Sequence, residues 1–156
     1  MFDFRGIFPE TVDNNYHGNK VAFYAFTLFT AIMTLRSLLH MFFEDAGLTV
    51  VAGIIPFEGN PDPDKVLHLF GSLWGFQQVI FCLICTVVLF RYRSLTSFMC
   101  LLFLIEWTTR FLLYPSWRGL PAEFYINGTP PLGAVGAPFV TLLLLVIFVF
   151  TLSRNK

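Results

Sequence analysis

Four apolar runs constrain this chain more than anything else in it. They cover 21–43, 65–90, 95–114 and 132–152, separated by stretches rich in turn formers or charge. Crossing ~30 Å of hydrocarbon takes about 20 helical residues. A span must also satisfy its own backbone hydrogen bonds, which leaves helices or a closed barrel. The period-two alternation of a barrel strand is absent, so the expected fold is all-α: a four-transmembrane-helix bundle in one membrane domain. The second run is long for one crossing and is expected to tilt or to project into an interface. The first is too long for the core of a signal peptide and lacks a small-residue cleavage site, so it is read as an uncleaved span.

Composition agrees. Of 156 residues, 56% are hydrophobic and 13% charged, against roughly 25% charged in a soluble domain. That is too little polar surface to cover a core in water. A net charge of zero lacks the basic footprint of a nucleic-acid partner. Membrane lipids are the expected surroundings, with other transmembrane subunits or a second copy as partners.

The connections differ in kind. The second and third runs are joined by the tight basic turn Arg91-Tyr92-Arg93-Ser94. The segments 44–64 and 115–131 carry Pro56, Gly59, Pro61, Pro63, Gly128, Pro130 and Pro131 and are expected to be ordered loops at the membrane surface. Asp62 or Asp64 is placed to cap the second helix. The end holding the 1–20 head, the short turn and the C-terminus carries Arg5, Lys20, Arg91, Arg93, Arg154 and Lys156, whereas the long loops hold only Lys65 and Arg118. The positive-inside rule then puts both termini in the cytoplasm and both long loops outside, in a multi-pass protein of a plasma, bacterial inner or organelle membrane.

Ionisable groups within a span cost about 2.5–3.5 kcal/mol each on insertion scales, so each marks a candidate site. Arg36 and His40 lie on the first span, Glu106 and Arg110 on the third. Counted back from the ends of their runs at 1.5 Å per residue, Arg36 and Glu106 both sit roughly 10–12 Å below the outer interface. His68, early in the second span, belongs to the same side. Arg36, His40 and Glu44 share one helix face, and Glu106 and Arg110 are one turn apart. Two readings stand. One is an ion-pair network, Arg36–Glu106–Arg110, that locks the first and third spans together; the other is a polar pocket, open to the outer side, that binds a ligand.

The second span has a seam of its own through Asp64, His68, Gly71, Gly75, Gln78, Cys82 and Cys85. Gly71 and Gly75 form a small-xxx-small motif that admits another helix at close range. The expected neighbour is the small face Gly133, Ala137 and Thr141 of the fourth span, or a partner subunit, with Gln78 bonding across the contact. Cys82-Leu83-Ile84-Cys85 has the spacing of a redox pair, but apolar surroundings and no second cysteine pair in a loop argue for packing. His40 and His68, near one interface on consecutive helices, have the layout of a bis-histidine haem or metal site. The HxH, HxxxH and ExxH patterns of dinuclear centres are missing.

The segment Phe70-Gly71-Ser72-Leu73-Trp74-Gly75-Phe76-Gln77-Gln78, the turn Arg91-Tyr92-Arg93-Ser94-Leu95 and Glu106-Trp107-Thr108-Thr109-Arg110 together resemble the middle of small DoxX-like membrane proteins. The likeness is one of layout over the spans and leaves out the head and the Pro-rich loops. It implies four helices and carries over no catalytic residue.

The function expected from these residues is non-enzymatic: an accessory subunit or apolar-ligand-binding protein of a membrane complex, with an outward-facing cluster of Arg36, His40, His68, Gln78, Glu106 and Arg110. The alternative is a membrane enzyme or redox protein acting on a quinone, sterol, lipid or haem, with Glu106 exchanging protons and Arg36 as its electrostatic partner. The absence of a repeat or a broken helix weighs against a transporter.

Overall fold

A computed structural model of the chain describes residues 6–153. The basic residues Arg5, Arg154 and Lys156 lie outside that range. Among the described residues the fold is helical, without strands. Helix α1 spans Lys20–Phe42 and α2 spans Asp64–Arg91. After a single 3-10 turn, Arg93–Leu95, α3 runs over Thr96–Thr108. It passes through a π-turn, Thr109–Leu113, into α4, Tyr114–Trp117. A short α5, Leu132–Val135, leads to α6, Ala137–Thr151.

Three of these helical stretches, Lys20–Phe42, Asp64–Arg91 and Arg93–Trp117, are long and apolar enough to cross a membrane; Ala137–Thr151 is apolar but shorter. Their outer surface fits that use. In each of the three, 33% of the most apolar 18-residue window is buried, so most of its apolar surface faces outward, as expected of a helix that is hydrophobic all round. Val21, Leu28, Ile32 and Leu35 on α1 and Phe139, Leu142 and Leu143 on α6 are all exposed.

Local chemistry explains where the elements begin and bend. Asn19 caps α1, its side-chain oxygen accepting the Val21 N–H at 2.8 Å, which satisfies one orphan donor of the first turn. At the start of α2 the two aspartates divide the work. Asp62 accepts the Asp64 N–H at 2.9 Å, while the Asp64 carboxylate ties down the Phe57 N–H of the preceding loop at 3.1 Å. Pro115 accounts for the π-turn. It has no N–H, and its ring crowds the carbonyl four residues back. The turn before it widens, with the Tyr114 N–H bonding the Thr109 carbonyl five residues back. The third apolar helical stretch therefore extends to Trp117, beyond the end at 114 expected from hydropathy. Pro138 likewise interrupts the last run, which divides at Gly136 into α5 and α6.

Helix α1 packs mainly on α2, α3 mainly on α6, and α1 also touches α6. Phe103 of α3 is the hub, with ring centroids 5.9 Å from Phe26, 5.1 Å from Phe29 and 4.8 Å from Phe81. Cys82, Cys85, Cys100 and Leu144 fill in around it, and all three thiols are free and buried.

The two ends of the bundle are closed differently. At one end the head, the Arg91–Ser94 turn and the end of α6 meet. The Asp13 N–H bonds the Ser94 hydroxyl at 3.0 Å, that hydroxyl returns to the Asp13 carbonyl at 3.0 Å, and the Asn19 N–H reaches the Phe150 carbonyl at 3.2 Å. At the other end the two long loops pair. The Ile126 N–H bonds Gly53 O at 2.8 Å, and the Ile55 N–H bonds Phe124 O at 3.1 Å.

Candidate functional site

The polar residues of three helices meet on the long-loop side of Phe103. Arg36 of α1 donates from Nη1 to Oε1 of Gln78 on α2 at 3.2 Å, and Gln78 donates from Nε2 to Oε1 of Glu106 on α3 at 2.9 Å. Arg110, in the π-turn, donates to the same Glu106 oxygen from Nη2 and, at 3.1 Å, from Nε. The Ser37 hydroxyl also donates to Gln78 Oε1, at 3.4 Å. Gln78 thus stands between Arg36 and Glu106, and the direct Arg36–Glu106 ion pair expected from matched depth gives way to a relay through its amide. The Glu106 carboxylate is already taken up by Arg110, and the Gln78 amide, with an acceptor at one end and a donor at the other, serves Arg36 and Glu106 at once.

Two tryptophans complete the cluster. Both guanidiniums lie over the indole of Trp74, with Arg36 Cζ 5.2 Å and Arg110 Cζ 5.1 Å from its centroid. Arg110 is also 5.5 Å from Trp107. A guanidinium within about 6 Å of an indole face is attracted to its quadrupole, more strongly where water is scarce. Hydropathy alone marks neither tryptophan as part of a site. The usable signal was spacing: Trp74 is four residues before Gln78, and Trp107 is adjacent to Glu106 and three before Arg110.

His40 belongs to the same region in a distinct way. It is 2% exposed, and its ring packs at a tilt against Trp74, centroids 4.8 Å apart. Its Nδ1 lies 2.8 Å from the Ala46 carbonyl. A carbonyl only accepts, so Nδ1 carries the proton and Nε2 of the neutral ring keeps its lone pair. That Nε2 is buried without a hydrogen-bond partner, as is Nε1 of Trp107. His68 stands apart from the network. It is seven residues before Gly75, the point at which α2 meets the His40 backbone, hence about 10 Å nearer the loop end. Among the described residues no group of three or more His, Cys, Asp or Glu side chains is placed to hold a metal ion.

The glycine seam faces inward, toward α1. A Cβ added at Gly75 would lie 2.7 Å from the Met41 nitrogen and 2.8 Å from the His40 carbonyl carbon, and one at Gly71 would lie 2.9 Å from Ala46 Cβ. Gly133 has nothing within 4 Å of its Cβ position. The seam therefore seats the end of α1 and the turn after it, where the small face of the last span had been expected, and it is not free for a partner subunit. Gly47 completes that seat. At φ +70°, with His40 Nδ1 only 2.9 Å from where its Cβ would be, it lets the backbone turn under the imidazole.

The site as a whole is half-buried. The side chains of Arg110 and Glu106 are 25% and 29% exposed. No family model, curated protein or solved structure matches the chain, so the site's chemistry rests on its own geometry.

Proposed function

We propose that this chain is a four-span membrane protein, with both termini in the cytoplasm, that binds a lipid-soluble ligand through the Arg36–Gln78–Glu106–Arg110 cluster and performs no catalysis on it. The short apolar helix α6 is the fourth span, lengthened by α5 across Gly136. Lys20, Arg91 and Arg93 mark the cytoplasmic end, and the paired long loops lie outside.

One observation carries the binding reading. A polar relay crosses three helices at span depth, yet it is left a quarter exposed and its hydrogen-bonding capacity is unfilled. A cluster whose only task was to lock helices together would be expected to bury and satisfy its charges, because an unfilled polar group in low dielectric is costly. The glycine face that would suit an accessory subunit packs against the end of α1 and the turn after it.

The test is native mass spectrometry of the protein purified in mild detergent from its own membrane, alongside Gln78→Leu and Arg36→Gln. A small lipid-soluble molecule that co-purifies with the wild type and is lost from folded variants supports the reading. Folded variants that retain the same molecules as the wild type, or a wild type that carries none, overturn it in favour of a structural lock.

A further inference from the structure

The donors of the cluster are out of balance with its acceptors. Two guanidiniums, Arg36 and Arg110, face one carboxylate, Glu106, which leaves a positive charge without a counter-ion. A guanidinium has five N–H donors, and among the described residues Arg36 directs only Nη1 to a protein acceptor, Gln78 Oε1. Arg110 spends Nε and Nη2 on Glu106 Oε1. The buried Nε1–H of Trp107, whose ring lies against Arg110, is a further donor without a partner. The faces around them are hydrocarbon-like. Ile32, Leu35 and Leu39 on α1 and Ile105 on α3 are all exposed apolar side chains.

Surplus positive charge and unfilled donors call for an anion with several acceptor oxygens. Apolar surroundings at span depth call for that anion to arrive on a hydrocarbon tail. Resting on the ligand-binding reading above, we propose that the cluster is a site for the phosphate headgroup of an anionic lipid. Arg36 and Arg110, both packed against Trp74, hold the phosphate oxygens. Glu106 and Gln78 fix the two guanidiniums in place, and the acyl chains lie along the exposed flank of α1. A neutral quinone, with two carbonyl acceptors and no charge, leaves the extra positive charge uncompensated.

The test compares phosphatidylglycerol with phosphatidylcholine in mixed nanodiscs, reading by native mass spectrometry which lipid stays bound when the disc is removed. The wild type should retain phosphatidylglycerol with a preference on the order of tenfold, the scale of one charge-assisted hydrogen-bonded contact. Arg36→Gln and Arg110→Gln should each erase that preference, and Arg36→Lys should keep part of it. Glu106→Gln removes the competing carboxylate and should raise the preference, an effect in the opposite direction from any loss of folding. Equal retention of the two lipids, unchanged by Arg36→Gln, overturns the headgroup assignment. If a neutral molecule is nevertheless bound and lost in Gln78→Leu, the ligand-binding reading survives that failure; if nothing bound depends on the cluster, both fall. Inorganic phosphate is the remaining arm: its displacing phosphatidylglycerol and binding lipid-free protein would assign the site to a free anion and overturn the lipid.

Discussion

The side-chain amide of Gln78 donates to Oε1 of Glu106 at 2.9 Å, joining α2 to α3 through polar atoms set among apolar helices. The other end of the same amide accepts from Arg36 and Ser37 of α1. Replacing Gln78 with Leu strips a partner from each side at once. A half-buried donor or acceptor left unmade costs about 1–3 kcal/mol, so Gln78→Leu should lower the melting temperature in detergent. Gln78→Glu should lower it too, since its added carboxylate can no longer donate to Glu106. Thermal unfolding followed by tryptophan fluorescence checks both.

Gly75 is the tightest point between α1 and α2. Its neighbours there are backbone atoms of His40 and Met41, which cannot rotate away as a side-chain tip can. Gly75→Ala should destabilise the protein by about 1–3 kcal/mol, the usual scale of overpacking. Gly133→Ala, with nothing within 4 Å of the new carbon, should be neutral or slightly stabilising. Paired melting curves decide it, and equal melting temperatures would sink the seam argument.

Asp45 makes the turn after α1 sensitive to acid. Desolvation pushes its carboxyl up, but the N–H groups of Val50, Gly47 and Thr49 together outweigh that and hold its pKa below the ordinary value. A folded-state pKa depressed in this way contributes stability above the unfolded value of about 3.9 and loses it as pH falls through the folded one. Wild type should therefore be more stable than Asp45→Asn at neutral pH, and the two should converge below about pH 4. A difference that persists in acid would mean that the carboxylate charge is not what the turn uses.

Ser94 pins the head to the turn between α2 and α3 through reciprocal bonds with Asp13. Ser94→Ala removes both side-chain bonds and leaves the Ser94 N–H to Asp13 O contact at 3.3 Å. Limited proteolysis should then cut within residues 6–19 several times faster than in the wild type, with the spans themselves unaffected.

Cysteine labelling reads the topology directly, because Cys82, Cys85 and Cys100 are buried and should not react with a water-soluble maleimide. Gly59→Cys, on an exposed loop position, should label in intact cells. Asn14→Cys, exposed on the head, should label only after the membrane is opened. The reverse pattern would invert the proposed orientation.

Much of the outline was legible from hydropathy. The first two helices begin and end within one residue of the apolar runs 21–43 and 65–90, because a long apolar run in lipid has few options besides a helix. The rise per residue put Arg36 and Glu106 at one level, and the Gln78 amide bonds both. What stayed hidden was pairing. Nothing in the spacing of Gly71 and Gly75 says whether the helix they admit is α1 or α6; that choice depends on how all the helices share one core around Phe103. Trp74 was hidden for the same reason. An indole within a span reads as filler until two guanidiniums from other helices are found over its ring. The π-turn was closer to view, since Pro115 stands only five residues after Arg110.

The pairing of Gly53–Ile55 with Phe124–Ile126 has a consequence for synthesis. It closes the chain from 54 to 125 into a ring that contains α2 and α3, with α1 and α6 outside it. Chains emerge N-terminus first, so α1 and α2 can settle against each other while the ring is still open. The ring itself cannot shut until Ile126 has been made. Closure of the long-loop end is thus a late event, and the last helix arrives at a hairpin whose mouth has only just been fastened.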